Sequence, residues 1–317
     1  VSSQVHVSDV DSGEGLLSAQ TLSGTYGTLE LASDGTWRYS ADNQQDAIQQ
    51  LGAGQTLVEH INLHTADGTL YQISVTIHGS NDAPLLTALS VQTTDEDGPL
   101  IIGQLQGSDI DSGDTLAYST TATVAGFTLN TDGSYSFDPA DPAWQHLAEG
   151  SRQVLDIPMS VTDSLGSSAT QYLKITLTGT NDLPVLSVQS PPPLNDGSQP
   201  ITGHAHATDV DSGDVLTYST SVQVEGFSVD ADGTWHFDPG HPAYLQLPEG
   251  ATQSLSIPLT VSDNHGGSVT QNLLITLTGT NQSAVITGVD TGTVNEDQGV
   301  SGGLLETSGQ LAISDPD

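Results

Sequence analysis

The 317-residue chain has no cysteine, one methionine and three basic residues. Without cysteine there are no disulfides, no thiolate zinc sites and no thiol nucleophile. Arg38, Arg152 and Lys174 are the fixed cations against 39 Asp and Glu, for a formal charge of -36. Nothing in such a chain can neutralise phosphates, and an anionic membrane surface repels it, so nucleic acid is excluded as a partner and cations are expected. No run approaches the roughly 18 apolar residues of a spanning helix, so no direct membrane insertion is expected. Aromatics are 5%, yet the 35% hydrophobic content and 34 glycines place the chain among globular proteins and not among acidic disordered tails.

What the chain has instead is internal repetition, with a period of 100 residues. Asp109-Ile110-Asp111-Ser112-Gly113-Asp114 returns as Asp209-Val210-Asp211-Ser212-Gly213-Asp214, with an earlier version at Asp9-Val10-Asp11-Ser12-Gly13-Glu14. At the same offset Phe137-Asp138-Pro139 returns as Phe237-Asp238-Pro239 and Gly179-Thr180-Asn181 as Gly279-Thr280-Asn281. The copies run over 1–83, 84–183 and 184–283, and a fourth opens at 284 and reaches its own Asp-x-Asp at Asp315-Pro316-Asp317. Both ends fall inside a repeat and Met159 is internal, so the chain reads as a window on a longer tandem array.

Within each copy apolar residues alternate, as in Ile73, Val75, Ile77 or Leu173, Ile175, Leu177, which is the pattern of a half-buried strand. Asp34-Gly35, Asp67-Gly68, Asp132-Gly133 and Asp232-Gly233 are turn signals between strands. Helical text is confined to 42–51 and one turn near 142–147. About seven short strands per copy predict an all-β chain of tandem immunoglobulin-like sandwiches in a linear array. Trp37, Tyr135 and Trp235 share one register after an Asp-Gly turn, which favours core aromatics over sugar-stacking platforms.

Most of the acids are explicable as turn formers or solvated surface. Several fall together. Glu96 lies near the start of copy two, Glu149 and Asp163 precede its closing Asn181-Asp182, and Asp209, Asp211 and Asp263 follow in copy three. A sandwich can bring its start, the loop holding Glu149 and its closing strand to one end, where the next copy's Asp-x-Asp and Asp263 meet them. Six or seven oxygens at one junction suit a hard cation such as calcium.

The Asp-x-Asp-Ser-Gly-Asp, the Asp-Gly-x-Tyr/Trp-x-Phe and the closing Gly-Thr-Asn-Asp-x-Pro together resemble the VCBS or cadherin-like tandem repeats of giant bacterial adhesins of the RTX class. The resemblance covers nearly the whole chain and implies cadherin-like domains with calcium bound between neighbours. It implies an early Glu and a mid-domain acid from the upper domain, Asn and Asp in the linker, and an Asp-x-Asp plus a later Asp from the lower domain. At the junction of copies two and three those places are Glu96, Glu149, Asn181, Asp182, Asp209, Asp211 and Asp263, all filled. At the first junction Asn81, Asp82, Asp109, Asp111 and Asp163 match, while Ala53 stands where Glu149 would be. At the third junction Asn195-Asp196 replaces the early Glu and Gln282 the linker Asp, and Glu249, Asn281, Asp315 and Asp317 remain.

Other motifs fail. The loop at 109 has Gly113 in the fifth EF-hand position and Thr120 in the twelfth, where the bidentate Glu belongs. Gly299-Val300-Ser301-Gly302-Gly303 fits a nucleophile elbow by letters but no helix is expected after it. His60 with His64, and His204 with His206, share strand faces without a third zinc ligand. No enzyme is expected, since residues repeated in every module serve the array and not one reaction. The resemblance implies a calcium-stiffened extender of an adhesin on the bacterial cell surface, extracellular, exported by type I secretion and serving attachment or biofilm formation. Its partners are then calcium and neighbouring repeats. The alternatives are a ligand- or glycan-binding repeat, or a filament subunit that self-associates head to tail by donating 284–300 as the missing opening strand of copy one.

Overall fold

The computed structural model describes residues 1–8, 17–296, 298, 301–315 and 317. The Asp9-to-Glu14 motif of copy one therefore lies outside the described residues, as do part of the elbow-like stretch at 299–303 and Pro316. The fold is all-β, with consecutive sandwich domains. The expected helix at 42–51 shrinks to Asp46–Gln49, the one α-helix among the described residues, and the expected turn near 142–147 is a run of turns over 142–146.

The chain divides into two compact units, residues 1–144 with 152–178, and 145–151 with 179–317. In the first unit, copy one has a four-stranded sheet in the order Ser2–Gln4, Thr36–Ala41, Gly27–Leu31, Gln20–Ser23, and a hairpin of Thr56–His64 with Leu70–His78. Leu29, Leu31, Tyr39, Ile61, Leu63, Ile73 and Val75 fill the space between them. Copy two pairs Ala117–Ser119, Arg152–Thr162, Ser168–Thr178 and Gln92–Asp95 in one sheet, the last strand parallel to its neighbour, and Phe127–Leu129, Ser134–Phe137 and Ile101–Gln104 in another. The second unit repeats that plan in copy three, with Leu194–Asn195 as the parallel strand beside Ser268–Thr278. Its last residues form Val285–Gly288 paired with Leu311–Ser314. The same pairing opens copies two and three at Leu85–Leu86 with Gly107–Ser108 and Val185–Ser187 with His206–Thr208.

The alternation of the sequence sets the layers. Ile157, Met159, Val161, Leu173, Ile175 and Leu177 are fully buried, as are their counterparts Ile257, Leu259, Val261, Leu273, Ile275 and Leu277, while intervening residues turn outward. The Asp-Gly turns follow their chemistry: Gly35, Gly133 and Gly233 have φ of 84, 87 and 91°, the region in which glycine carries no Cβ penalty. The preceding Asp accepts the backbone N–H two residues on, at 3.0 Å for Asp34, 2.9 Å for Asp132 and 2.8 Å for Asp232. The Ser134 hydroxyl and then its N–H hold Asp132 below the usual carboxylate range.

Trp235 is buried in the core, and Trp37 and Tyr135 are half-buried. Glycine is required beneath the rings, because a Cβ on Gly103 would lie 2.2 Å from Tyr135 and one on Gly203 2.1 Å from Trp235. Copy one departs from its neighbours in one respect the sequence reading missed. Strand register sets Glu59 where copies two and three have Leu155 and Leu255, and Tyr39 where they have Phe137 and Phe237. Glu59 is buried and accepts the Tyr39 hydroxyl and the backbone N–H of Thr25 and Tyr26. Burial first, and then the hydrogen bond to Glu59, push the Tyr39 phenol up from its ordinary value. Tyr39→Phe therefore leaves a buried carboxylate oxygen short of a partner and should cost about 1–3 kcal/mol in a denaturant melt. A melt unchanged by the substitution would show that water replaces the phenol.

Candidate metal sites

The first site is built within the first unit, where the end of copy one meets the Asp-x-Asp loop of copy two. The loop is held by backbone contacts: Ser112 N–H donates to Gln50 O at 2.9 Å, and Gln55 Nε2 to Ser112 O at 3.0 Å. The Asp111 N–H donates to Asp109 Oδ1 at 2.9 Å, so one side chain folds the loop that carries the next. The linker is tied in from the other side. Asn81 Nδ2 donates to Asp163 Oδ2 at 2.8 Å and to Ser167 Oγ at 2.9 Å, and Asp82 N–H donates to Asp111 Oδ2 at 2.7 Å. The Asn81 amide, first among the causes, and backbone N–H groups of Ser167 and Leu165 hold Asp163 below the usual carboxylate range against its burial.

The arrangement consumes one oxygen of each acid and leaves another. Asn81 Oδ1, Asp109 Oδ2, Asp111 Oδ1 and Asp114 Oδ2 are buried without a hydrogen-bond partner. Carboxylate oxygens of Asp109, Asp111 and Asp114 lie within 4.8 Å of one another. Three carboxylates at such spacing repel strongly in a partly buried setting unless a cation stands among them.

The second unit builds the same site from the same positions. Asn181 Nδ2 donates to Asp263 Oδ2 at 3.2 Å, Asp182 N–H to Asp211 Oδ2 at 2.7 Å, Asp211 N–H to Asp209 Oδ1 at 3.0 Å, and Ser212 N–H to His146 O at 3.1 Å. Asn181 Oδ1, Asp209 Oδ2, Asp211 Oδ1 and Asp214 Oδ2 are left as their counterparts are. Here Asp209, Asp214 and Asp263 are the acids whose oxygens lie within 4.8 Å. Burial raises the Asp211 carboxyl above its ordinary value, the Asp182 N–H opposes, and Asp214 and Asp209 add to the rise. Burial also acts to raise Asp263, but N–H groups of His265 and Gly267 and the Asn181 amide outweigh it, and Asp263 sits low. The two sites differ at their sixth loop residue: Ser164 Oγ donates to Asp114 Oδ1 at 2.6 Å, while His265 Nδ1 lies 3.0 Å from Asp214 Oδ1.

Glu96 is fully buried in the first unit, with its N–H on Thr178 O at 3.0 Å. Asp196 takes the same register in the second, with its N–H on Thr278 O at 3.0 Å. Its Oδ1 accepts Thr280 N–H at 2.8 Å and the Thr280 hydroxyl at 2.6 Å. Glu149 and Glu249 are exposed on their turns. They stand outside the acid groups found among the described residues. At the third junction Asn281, Asp315 and Asp317 are exposed, and Gln282 N–H donates to Asp317 Oδ2 at 2.5 Å. No group of three acids forms there among the described residues. Asp82 is exposed and Asp182 half-buried. Asp114 and Asp214, the sixth residues of the quoted motif, are site acids that sequence reasoning passed over. Their signal was their recurrence in the motif itself.

Residues 81–179 match a family described as bacterial cadherin-like domain, and residues 181–276 one described as bacterial Ig domain. No curated protein gives a match. Among solved structures, mouse cadherin-23 EC22-24 is 18% identical at a TM-score of 0.46, covering 87% of this chain and 91% of its own. Mouse protocadherin-24 EC1-3 is 16% identical at 0.38, covering 80% and 86%. Drosophila N-cadherin EC1-4 is 14% identical at 0.32, covering 88% and 69%. The chain carries cadherin-like and Ig-like domains in tandem. Such domains are typically non-enzymatic structural and adhesion modules and are usually extracellular, and cadherin-like domains generally bind calcium. No helix of the described residues is long and apolar enough to cross a membrane.

Proposed function

We propose that the chain is a calcium-stiffened extender of a bacterial cell-surface adhesin, of the VCBS or RTX type, with repeats at 1–83, 84–183, 184–283 and an opening fourth at 284–317. The observation that carries this reading is that the same four oxygens stay buried and unpartnered in both units, at Asn81 and Asn181, Asp109 and Asp209, Asp111 and Asp211, Asp114 and Asp214. The donor set is oxygen throughout, which suits calcium and not zinc or copper. Asn81, Asp109, Asp111, Asp114 and Asp163 would hold the ion at the first junction, and Asn181, Asp182, Asp209, Asp211, Asp214 and Asp263 at the second, with Glu149 as an upper-domain acid the resemblance implies. A bound divalent ion supplies the positive charge that a chain of -36 lacks. The residues themselves fix the linker: Asn81 and Asn181 clamp it to Asp163 and Asp263, and the Asp82 and Asp182 N–H groups clamp it to the next copy's loop.

Without a cation, like charge repels along the chain and neighbouring copies swing; with it, length adds copy by copy. Small-angle scattering during calcium titration tests this. The expected result is a rise in maximum dimension and a loss of interdomain flexibility that chelator reverses. Scattering curves that superimpose with and without calcium would overturn the extender reading.

A further inference from the structure

Copies two and three share a fold but differ in how the strand after their opening pairing is fastened. In copy two, Gln92–Asp95 runs parallel to the closing strand, with Gln92, Thr93, Thr94 and Asp95 opposite Ile175, Thr176, Leu177 and Thr178. In copy three the parallel pairing is confined to Leu194 and Asn195 opposite Leu277 and Thr278. The two missing rungs fall at Pro192 and Pro193, in the run Pro191-Pro192-Pro193 where copy two has Val91-Gln92-Thr93. Proline has no N–H to give to a ladder, and its fixed φ favours polyproline over strand.

Side chains replace part of what the backbone loses. Leu274 N–H donates to Ser190 Oγ at 3.0 Å, and Val188 N–H to Gln271 Oε1 at 3.2 Å. At the far end Asp196 holds Thr280. Between the Ser190 tie and the Leu194 rung, no ladder pairing joins the prolines to the closing strand.

We infer that the Leu194–Asn195 strand of copy three is a release point: under tension, or by thermal fluctuation, it leaves its sandwich before Gln92–Asp95 of copy two does. Once the short antiparallel pairing that opens each copy gives way, the chain enters the sandwich through this strand and leaves through the closing strand, and the two lie parallel. Pulling on the chain therefore drives them past each other, and the rungs between them bear load together. Fewer rungs means earlier release. The inference rests on the two ladders and not on the extender reading, and it stands whether or not calcium is bound.

The test is single-molecule pulling on the full chain, set beside the variant Pro191→Val, Pro192→Gln, Pro193→Thr, which writes copy two's residues into copy three. Copies two and three of the unaltered chain should open as two distinct classes, apart from the opening of copy one, and the variant should move the weaker class up toward the stronger. Opening of that class should slow by roughly thirtyfold, about fivefold for each net backbone hydrogen bond regained. A weaker class that stays where it was, in a folded variant, would overturn the inference. Native-state hydrogen exchange on the unaltered chain gives an independent reading that needs no variant to fold. The Thr276 amide, beyond the two-rung ladder, should exchange at least about tenfold faster than the Thr176 amide inside the four-rung one. Equal protection of the two would overturn it as well.

Discussion

Chelating calcium should lower the melting temperature of the chain, and restoring calcium in excess should raise it again. Folded-state sites with dissociation constants of about 10⁻⁴ to 10⁻³ M, the range of extracellular modules, each add about 2.7 kcal/mol at a hundredfold excess of ion. Two such sites make the effect large beside the 5–15 kcal/mol or so by which a domain is stable. The sign at a single residue follows from Asp211. Its carboxyl is raised by burial, with Asp214 and Asp209 adding and the Asp182 N–H opposing. A carboxyl raised in the folded state helps the fold below its unfolded value, and that help disappears as pH rises through the folded value. At neutral pH without calcium, ionised Asp211 is therefore a burden, and Asp211→Asn, which still accepts the Asp182 N–H, should be neutral or stabilising. With calcium the order reverses, because the substitution removes a ligand charge. A melting temperature indifferent to chelator, or an Asp211→Asn effect of one sign in both conditions, would defeat the calcium assignment.

The repeat, the strand alternation and the Asp-Gly turns made the sandwich plan legible, since each is a local rule that packing then obeyed. The short helix was overestimated because only Ile48 and Leu51 of that segment find the core, too little to extend Asp46–Gln49. In the site, the Asp-x-Asp and linker Asn were legible because their spacing is fixed by turns. Asp114 and Asp214 recur in the same motif and were passed over, because what sets them apart is burial of a second carboxylate oxygen, which spacing does not report. Glu59 was invisible for the same reason: in a strand reading Thr-Leu-Val-Glu-His-Ile, a core-facing Glu looks like a solvent-facing one until Tyr39 is found opposite. The exposure of Glu149 and Glu249 is a turn property, and the sequence marks the turn but not the direction of the side chain.

Calcium should fill the junctions unequally. At the junction of copies two and three every place read from the sequence is occupied, and the loop acids Asp209, Asp214 and Asp263 stand close enough to share an ion. At the first junction Asp109, Asp111 and Asp114 do the same. There Ala53 occupies the turn where Glu149 stands later: Gly79 N–H meets Gln55 O at 3.0 Å as Gly179 N–H meets Ser151 O at 2.9 Å, which puts the two turns in register. At the third, Gln282 replaces a carboxylate and Asp315 and Asp317 are exposed. Fewer charged oxygens mean weaker binding, so affinity should fall from the second junction to the first to the third. In a calorimetric titration, Asp211→Asn and Asp111→Asn should each weaken one tight event by at least about tenfold, or 1.4 kcal/mol. Asp317→Asn should leave both tight events in place, because the junction it touches contributes to neither. Three events of equal affinity, or a loss of tight binding in Asp317→Asn, would contradict the ranking.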